Sequence, residues 1–197
     1  MRLKLLVLVT CYLSLAPNIT IANPSIDKIK EMVYIPTQLS GSFEQEKSVG
    51  EVDVTLKSSG TFAIDKEKGI KWQIQKPYSN TTIIQDGKLC MKNDADSQTI
   101  DSENNQVLKH IIGIMQNLLV QDYDSLSEYF DITHYKTKKF LKIILTTKDQ
   151  TMSKVFSNIE IIITKYVDEV YLYSPESDLT VIKFSKVTEK AKEFSCD

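Results

Sequence analysis

The sequence is poor in the side chains from which most active sites and metal centres are built. It holds two histidines, His110 and His134, and three cysteines, Cys11, Cys90 and Cys196. Neither histidine has a second histidine or a cysteine at metal-ligand spacing, and there is no CxxC. The nucleophile elbow GxSxG, the zinc helix HExxH, the Walker A loop and the dinucleotide glycine fingerprint are all missing. Both histidines are therefore read as surface residues. No catalysis, metal or cofactor is expected. An excess of positive charge is missing too. Lys and Arg number 24 against 26 Asp and Glu, a formal charge of −2. That balance lacks the electrostatic footprint of a nucleic-acid partner. Beyond the first residues, no apolar run is long enough for a transmembrane helix.

What the sequence does have is, first, a leader. Arg2 and Lys4 flank the start of a short apolar run from Leu5 to Leu15, and Thr20-Ile21-Ala22 fits the −3 to −1 positions of a cleavage site. The run is too short to span a bilayer comfortably. Cys11 follows Thr10, where a lipidation signal wants Gly, Ala or Ser. Residues 1–22 are expected to be a cleaved signal peptide and residues 23–197 a single exported domain. Loss of Arg2 and Lys4 with the leader takes the formal charge from −2 to −4. Cys90 and Cys196 then remain, and two cysteines allow one pairing. Export permits a disulfide between them, with two free thiols as the alternative; the disulfide is expected.

The rest alternates between two periods. Ser25 caps a short helix with Ile26, Ile29, Met32 and Val33 on one face, closed by Pro36. Strands follow in "LSGSFEQEKSVG", "TLKSSGTFAID" and "GIKWQIQKPY", the last stopped by Pro77, which has no N–H for a ladder. Phe62 and Ile64 share one parity, and Ile70, Trp72 and Ile74 share another. Two short strands turn about Asp86-Gly87, with Leu89 and Met91 on one face and Cys90 on the other. The acidic stretch "NDADSQTIDSENNQ" reads as a solvated loop, because Thr99 and Asn105 stand where a calcium loop needs Gly and Glu. A helical stripe then runs through Val107, Leu108, Ile111, Ile112, Met115, Leu118 and Leu119. A shorter helix from Asp124 or Ser125 carries Leu126, Tyr129 and Phe130. Four more strands close the chain. The order predicts a mainly β, α+β fold: a large antiparallel sheet that curls with its own twist, partly covered by helices. Such a concave face is either a filled core or a ligand cavity. Tyr166, Tyr171 and Tyr173 suit either a strand or a binding face.

The motif order resembles the LolA-like outer-membrane lipoprotein carriers, in a divergent branch. The resemblance runs through "GSFEQEK", Gly60-Thr61-Phe62, Ile70-Lys71-Trp72, Pro77, Asp86-Gly87, the central "LLVQDYDSLSEYF", and distally Phe156, Ile159, Asp178, Thr180 and Phe184. It implies a half-open antiparallel barrel with a helical lid, in the periplasm, carrying acylated lipoprotein or another envelope lipid. It implies partners in an inner-membrane donor complex and an outer-membrane acceptor, and a monomer. The expected cavity is lined on the sheet side by Phe43, Phe62, Ile64, Ile70, Trp72, Ile74, Leu89 and Met91. The lid side is expected to supply Ile111, Ile112, Met115 and Leu119. The chain departs from the family where an Arg-Pro pair helps hold the lid shut. It has Lys66-Glu67 there, so Lys66 is the candidate lid latch. It also has Leu89-Cys90-Met91 where the family places an aromatic residue after the Asp-Gly turn. The competing reading is a non-enzymatic envelope sensor or protein-interaction domain on the same scaffold, with its concave face filled by its own side chains.

Overall fold

A computed structural model describes residues 26–50, 54–101, 113–114, 116–148, 150, 152–190 and 193–196. Helix α1 (Ile26–Lys30) leads into β1 (Gln38–Val49), β2 (Val54–Asp65), β3 (Gly69–Lys76), β4 (Asn80–Gln85), β5 (Lys88–Asn93) and β6 (Ser97–Asp101). Helical residues 116–120, termed α2, and α3 (Tyr123–Leu126) follow. Then come β7 (Phe130–Lys136), β8 (Leu141–Thr147), a 3-10 turn at Met152–Lys154, β9 (Asn158–Ile163), β10 (Val167–Tyr173) and β11 (Leu179–Thr188). The expected leader, Ser25, His110 and the lid residues Ile111, Ile112 and Met115 lie outside the described residues.

All eleven strands form one antiparallel sheet in the order β6-β5-β4-β3-β2-β1-β11-β10-β9-β8-β7. Two meanders meet where β1 pairs with β11. The edges β6 and β7 are not hydrogen-bonded to each other, so the sheet is not closed. The chain from β6 to β7 therefore has to pass from one edge to the other, and α2 and α3 lie on that passage. Turn chemistry sets the registers. Asp86 and Gly87 both take positive φ at the β4–β5 turn, and Gly69 does so at the β2–β3 turn. At Gly69 a Cβ would stand 1.9 Å from the Ile84 carbonyl oxygen, so only glycine fits. Strand β3 ends at Lys76, before a cis Lys76–Pro77 bond.

Three expectations need correction. The acidic stretch is not all loop. Asn93 Oδ1 accepts the N–H groups of Ala95 and Asp96, both at 2.8 Å, closing a turn that delivers β6. Ile100 then pairs with Leu89 across the ladder. The second short helix starts at Tyr123 and ends by Ser127, so Phe130 belongs instead to β7, a strand the sequence reading left out. His134, expected on the surface, sits on that strand opposite Ile143 and is half-buried, with Nδ1 enclosed and without a hydrogen-bond partner among the described residues.

The core lies on the concave face. Ile143, Leu145, Ile159 and Ile161 alternate inward from β8 and β9 and are fully buried, as are Ile29 of α1, Tyr123 and Leu126 of α3, and Met152. Each such side chain contributes roughly 1.5–3 kcal/mol of hydrophobic stabilisation. Burial also pushes the Tyr123 hydroxyl above its ordinary pKa.

Candidate functional site

Register brings the expected sheet residues onto one face. Phe62 lies opposite Trp72, Ile64 opposite Ile70, Ile84 opposite Leu89 and Thr82 opposite Met91. Phe43, Phe62, Ile64, Ile70 and Leu89 are buried, whereas Trp72, Ile74 and Met91 are half-buried. The face thus loosens along the strands, from the row of Ile64, Ile70 and Leu89 toward Trp72, Met91 and Ile74.

Its centre is aromatic. Phe43 stacks on Trp72 with ring centroids 3.8 Å apart and planes 24° from parallel. Gly60 of β2 stands opposite Phe43 and opposite Ile74 of β3, and has no side chain to occupy the space between the rings. A Cβ there would come within 1.8 Å of the Gln73 carbonyl oxygen, a backbone atom of the neighbouring strand. Phe184, opposite Phe43 on β11, meets the Phe62 ring edge-on at 5.1 Å and the Trp72 ring at 6.2 Å. Edge and stacked pairs of this kind add about 0.5–1.5 kcal/mol each beyond area burial. Phe184 was not among the expected site residues. The alternation Ile182-Lys183-Phe184 marks its parity, but the β1–β11 pairing that delivers it to Phe43 joins opposite ends of the chain.

The lid rests on this floor. Ile114, Leu118, Leu119 and Val120 are buried. Ile114 belongs to the helical stripe by its spacing of four from Leu118 and extends the expected set. Leu119 borders two apolar clefts. One is lined by Leu39, Phe62, Ile64, Tyr166, Val167, Phe184 and Val187, and the other by Trp72, Leu118, Val170, Leu172, Ile182 and Phe184. Each holds about 10 Å³, no more than one water. The lid helix ends at Gln121, which takes φ 56° while its buried amide donates to the Tyr34 carbonyl at 3.3 Å and accepts from the Tyr123 hydroxyl at 3.4 Å. Asp122 N–H returns to the Asn117 carbonyl at 2.8 Å, the six-to-one bond of a Schellman end. Asp122 Oδ1 then caps α3 through Ser125 N–H at 3.2 Å.

Lys66, the candidate latch, stands at the β2–β3 turn. Its side chain is exposed and among the described residues makes no ion pair; it borders a cleft of about 210 Å³ that separates the β2–β3 turn from Gln116, Asn117 and Asp122. No arginine lies beyond Arg2, so no guanidinium fork is present in residues 3–197. Cys90, on the opposite parity from Leu89 and Met91, is joined to Cys196 with Cα atoms 5.7 Å apart. Tyr171 and Tyr173 point their hydroxyls at Glu169 and Glu160 on the sheet. Among the described residues no group of His, Cys, Asp and Glu is placed to hold a metal ion, and no helix is long and apolar enough to cross a membrane.

A model of the outer membrane lipoprotein carrier protein LolA matches residues 36–195. No curated protein sequence matches the chain. Among solved structures, the chain is similar to a LolA superfamily protein from Nitrosomonas europaea, NE2245, at 9% identity, with 86% of this chain and 92% of that one covered and a TM-score of 0.44. It is similar to a putative outer membrane lipoprotein-sorting protein domain from Vibrio parahaemolyticus at 9% identity, covering 83% and 89%, with a TM-score of 0.41. It is also similar to a chain of the Pseudomonas aeruginosa MucA/MucB complex at 13% identity, covering 77% and 51%, with a TM-score of 0.46. By the match over residues 36–195, the protein belongs to the LolA family of outer-membrane lipoprotein carriers.

Proposed function

We propose that the protein carries the acyl chains of a lipoprotein, or of a related envelope lipid, across the periplasm on its aromatic inner face. In this reading residues 1–22 are removed on export, residues 23–197 are the carrier, and no bond is made or broken in the cargo. Cargo is received from an inner-membrane donor and released to an outer-membrane acceptor. One observation carries the reading. The floor of Phe43, Phe62, Trp72 and Phe184 is covered by a short lid whose central Leu119 is flanked on both sides by apolar clefts. Those clefts are the seams along which the lid parts from the floor in this reading. The remaining void is far too small for an acyl chain, so loading displaces Leu118 and Leu119 from the floor. The exchange is favourable because each methylene withdrawn from water contributes about 0.8 kcal/mol. It is reversible because the lid's own leucines replace the chain when it leaves.

The smallness of the two clefts also suits the second reading, a sensor or interaction domain whose face stays filled. Gentle purification of the exported protein followed by mass spectrometry of extracted lipid separates the two. The carrier yields bound acyl lipid, and its Trp72 emission is quenched by brominated acyl chains. Lipid-free protein whose Trp72 ignores such chains overturns the carrier reading.

A further inference from the structure

We propose that residues 26–34 form a strap that holds the lid on the sheet, fastened at Glu189. The strap is tied to the lid at two points. Lys30 pairs with Asp124 of α3, and the Tyr34 carbonyl accepts the Gln121 amide at the end of α2. Next to Lys30, Ile29 is anchored in the core. At the sheet, the Tyr34 hydroxyl donates to Glu189 Oε2 at 3.0 Å. The other carboxylate oxygen accepts from the Tyr166 hydroxyl at 2.5 Å and from Lys165 Nζ at 3.0 Å. Lys165 Nζ also lies 5.3 Å from the Tyr34 ring centroid and 4.7 Å from that of Tyr166. The two tyrosine rings meet edge-on at 6.2 Å.

Three distant segments therefore converge on one carboxylate: the strap, the β9–β10 turn and the residue after β11. The fastening stands at one end of the lid seam, because Tyr166 lines the apolar cleft beside Leu119. Donors from Tyr166, Lys165 and Tyr34 hold Glu189 well below the ordinary carboxylate range, at about 2, so it stays ionised and accepting at neutral pH. Charge-assisted bonds fix the geometry. Their exposure to water keeps them weak enough to open without unfolding the core. The strap is a fastening separate from the candidate latch at Lys66. Only its consequence for lipid rests on the carrier reading; the fastening itself does not.

The test measures hydrogen exchange of the backbone amides of residues 116–120 in wild type, Tyr34→Phe, Glu189→Gln, the double variant and Lys66→Ala. In parallel, stopped-flow records association of an anthroyloxy-labelled palmitate. Release of the strap speeds exchange at 116–120 by about two- to five-fold in Tyr34→Phe and Glu189→Gln. The double variant exchanges no faster than Glu189→Gln alone. Amides of β8 and Lys66→Ala stay at wild-type rates. Unchanged exchange at 116–120 in both single variants overturns the strap, whether or not the palmitate binds, and so does faster exchange in Lys66→Ala alone. Faster exchange in protein that binds no palmitate supports the strap and sinks the carrier reading. Faster exchange with faster palmitate association supports both.

Discussion

Leu119→Ala distinguishes a lid from a core. Leu119 is buried and borders both apolar clefts, so truncation joins them into one void over Phe62, Trp72 and Phe184. In a filled core the cost has two parts. Three carbons lose their burial, about 2.4 kcal/mol at ~0.8 kcal/mol each. A residual void of about 40 Å³ adds about 1 kcal/mol at ~24 cal/mol per Å³. The full penalty is then roughly 3.4 kcal/mol. A lid behaves differently, because it can leave. Once the docked lid is worse than the undocked one, further loss of contacts no longer lowers global stability. The measured loss is capped at the docking free energy of the lid, which the carrier reading places below about 2 kcal/mol, within the range of local opening. Ile143→Ala is the control. Ile143 is fully buried among Ile161, Leu145 and Ile159 on strands that border neither cleft, so its truncation costs the ordinary 2–5 kcal/mol of a core deletion. Urea denaturation gives both values, and Trp72, the sole tryptophan, reports the floor directly. Expected are a small loss for Leu119→Ala, a large one for Ile143→Ala, and faster quenching of Trp72 by brominated acyl chains in Leu119→Ala. A loss above about 3 kcal/mol for Leu119→Ala, with Trp72 indifferent to acyl chains, would show that the face is ordinary core and refute the reasoning.

Three further outcomes follow from single features. Gln121→Ala keeps the positive φ and loses two side-chain hydrogen bonds, a cost of about 2 kcal/mol; Gln121→Gly loses the same bonds but relieves about 1 kcal/mol of backbone strain, so urea midpoints should fall in the order wild type, Gly, Ala. Cys90 and Cys196 are separated by 106 residues, and Cys196→Ser should lower stability by about 2–4 kcal/mol, whereas unfolded, non-reduced wild type should show no free thiol after loss of the leader. Glu189 has its folded pKa lowered to about 2 from 4.5, so its contribution is complete above pH 4.5 and is lost as pH falls toward 2; the gap in melting temperature between wild type and Glu189→Gln should close over that window, and a gap independent of pH counts against the carboxylate network.

Much of the fold was legible because alternation and turn chemistry are local. Phe62 and Ile64, then Ile70, Trp72 and Ile74, lie two apart and so share a face whatever their partners are, and Asp86-Gly87 fixes where the next hairpin reverses. The same locality explains the misses. β6 is made by the Asn93 side chain closing a turn within an otherwise solvated acidic run, a signal of one residue against a dozen polar ones. β7 begins at Phe130, directly after a helix whose apolar spacing through Leu126 and Tyr129 runs on to Phe130 as well. Propensity reads that stretch as one helix; the ladder with β8 overrides it.

The candidate site divides along the same line. Its sheet half was legible from parity, but Phe184 and Ile182 arrive only through the pairing of β1 with β11, which no local pattern encodes. The latch was least legible of all. A family pattern points to Lys66 at one turn, because such a pattern fixes a position and not an interaction. In the folded chain the bonds converge on Glu189, from Tyr34 upstream of β1 and from Lys165 and Tyr166 between β9 and β10. Each of these residues is unremarkable in its own segment. A planar guanidinium can clasp several acceptors alone, whereas a lysine is a point charge and needs company. With no arginine beyond Arg2, a closing device built from this chain has to assemble its geometry from several weaker groups around one carboxylate. That requirement, and not the identity of any one residue, is the reason the fastening sits where three segments of the fold meet.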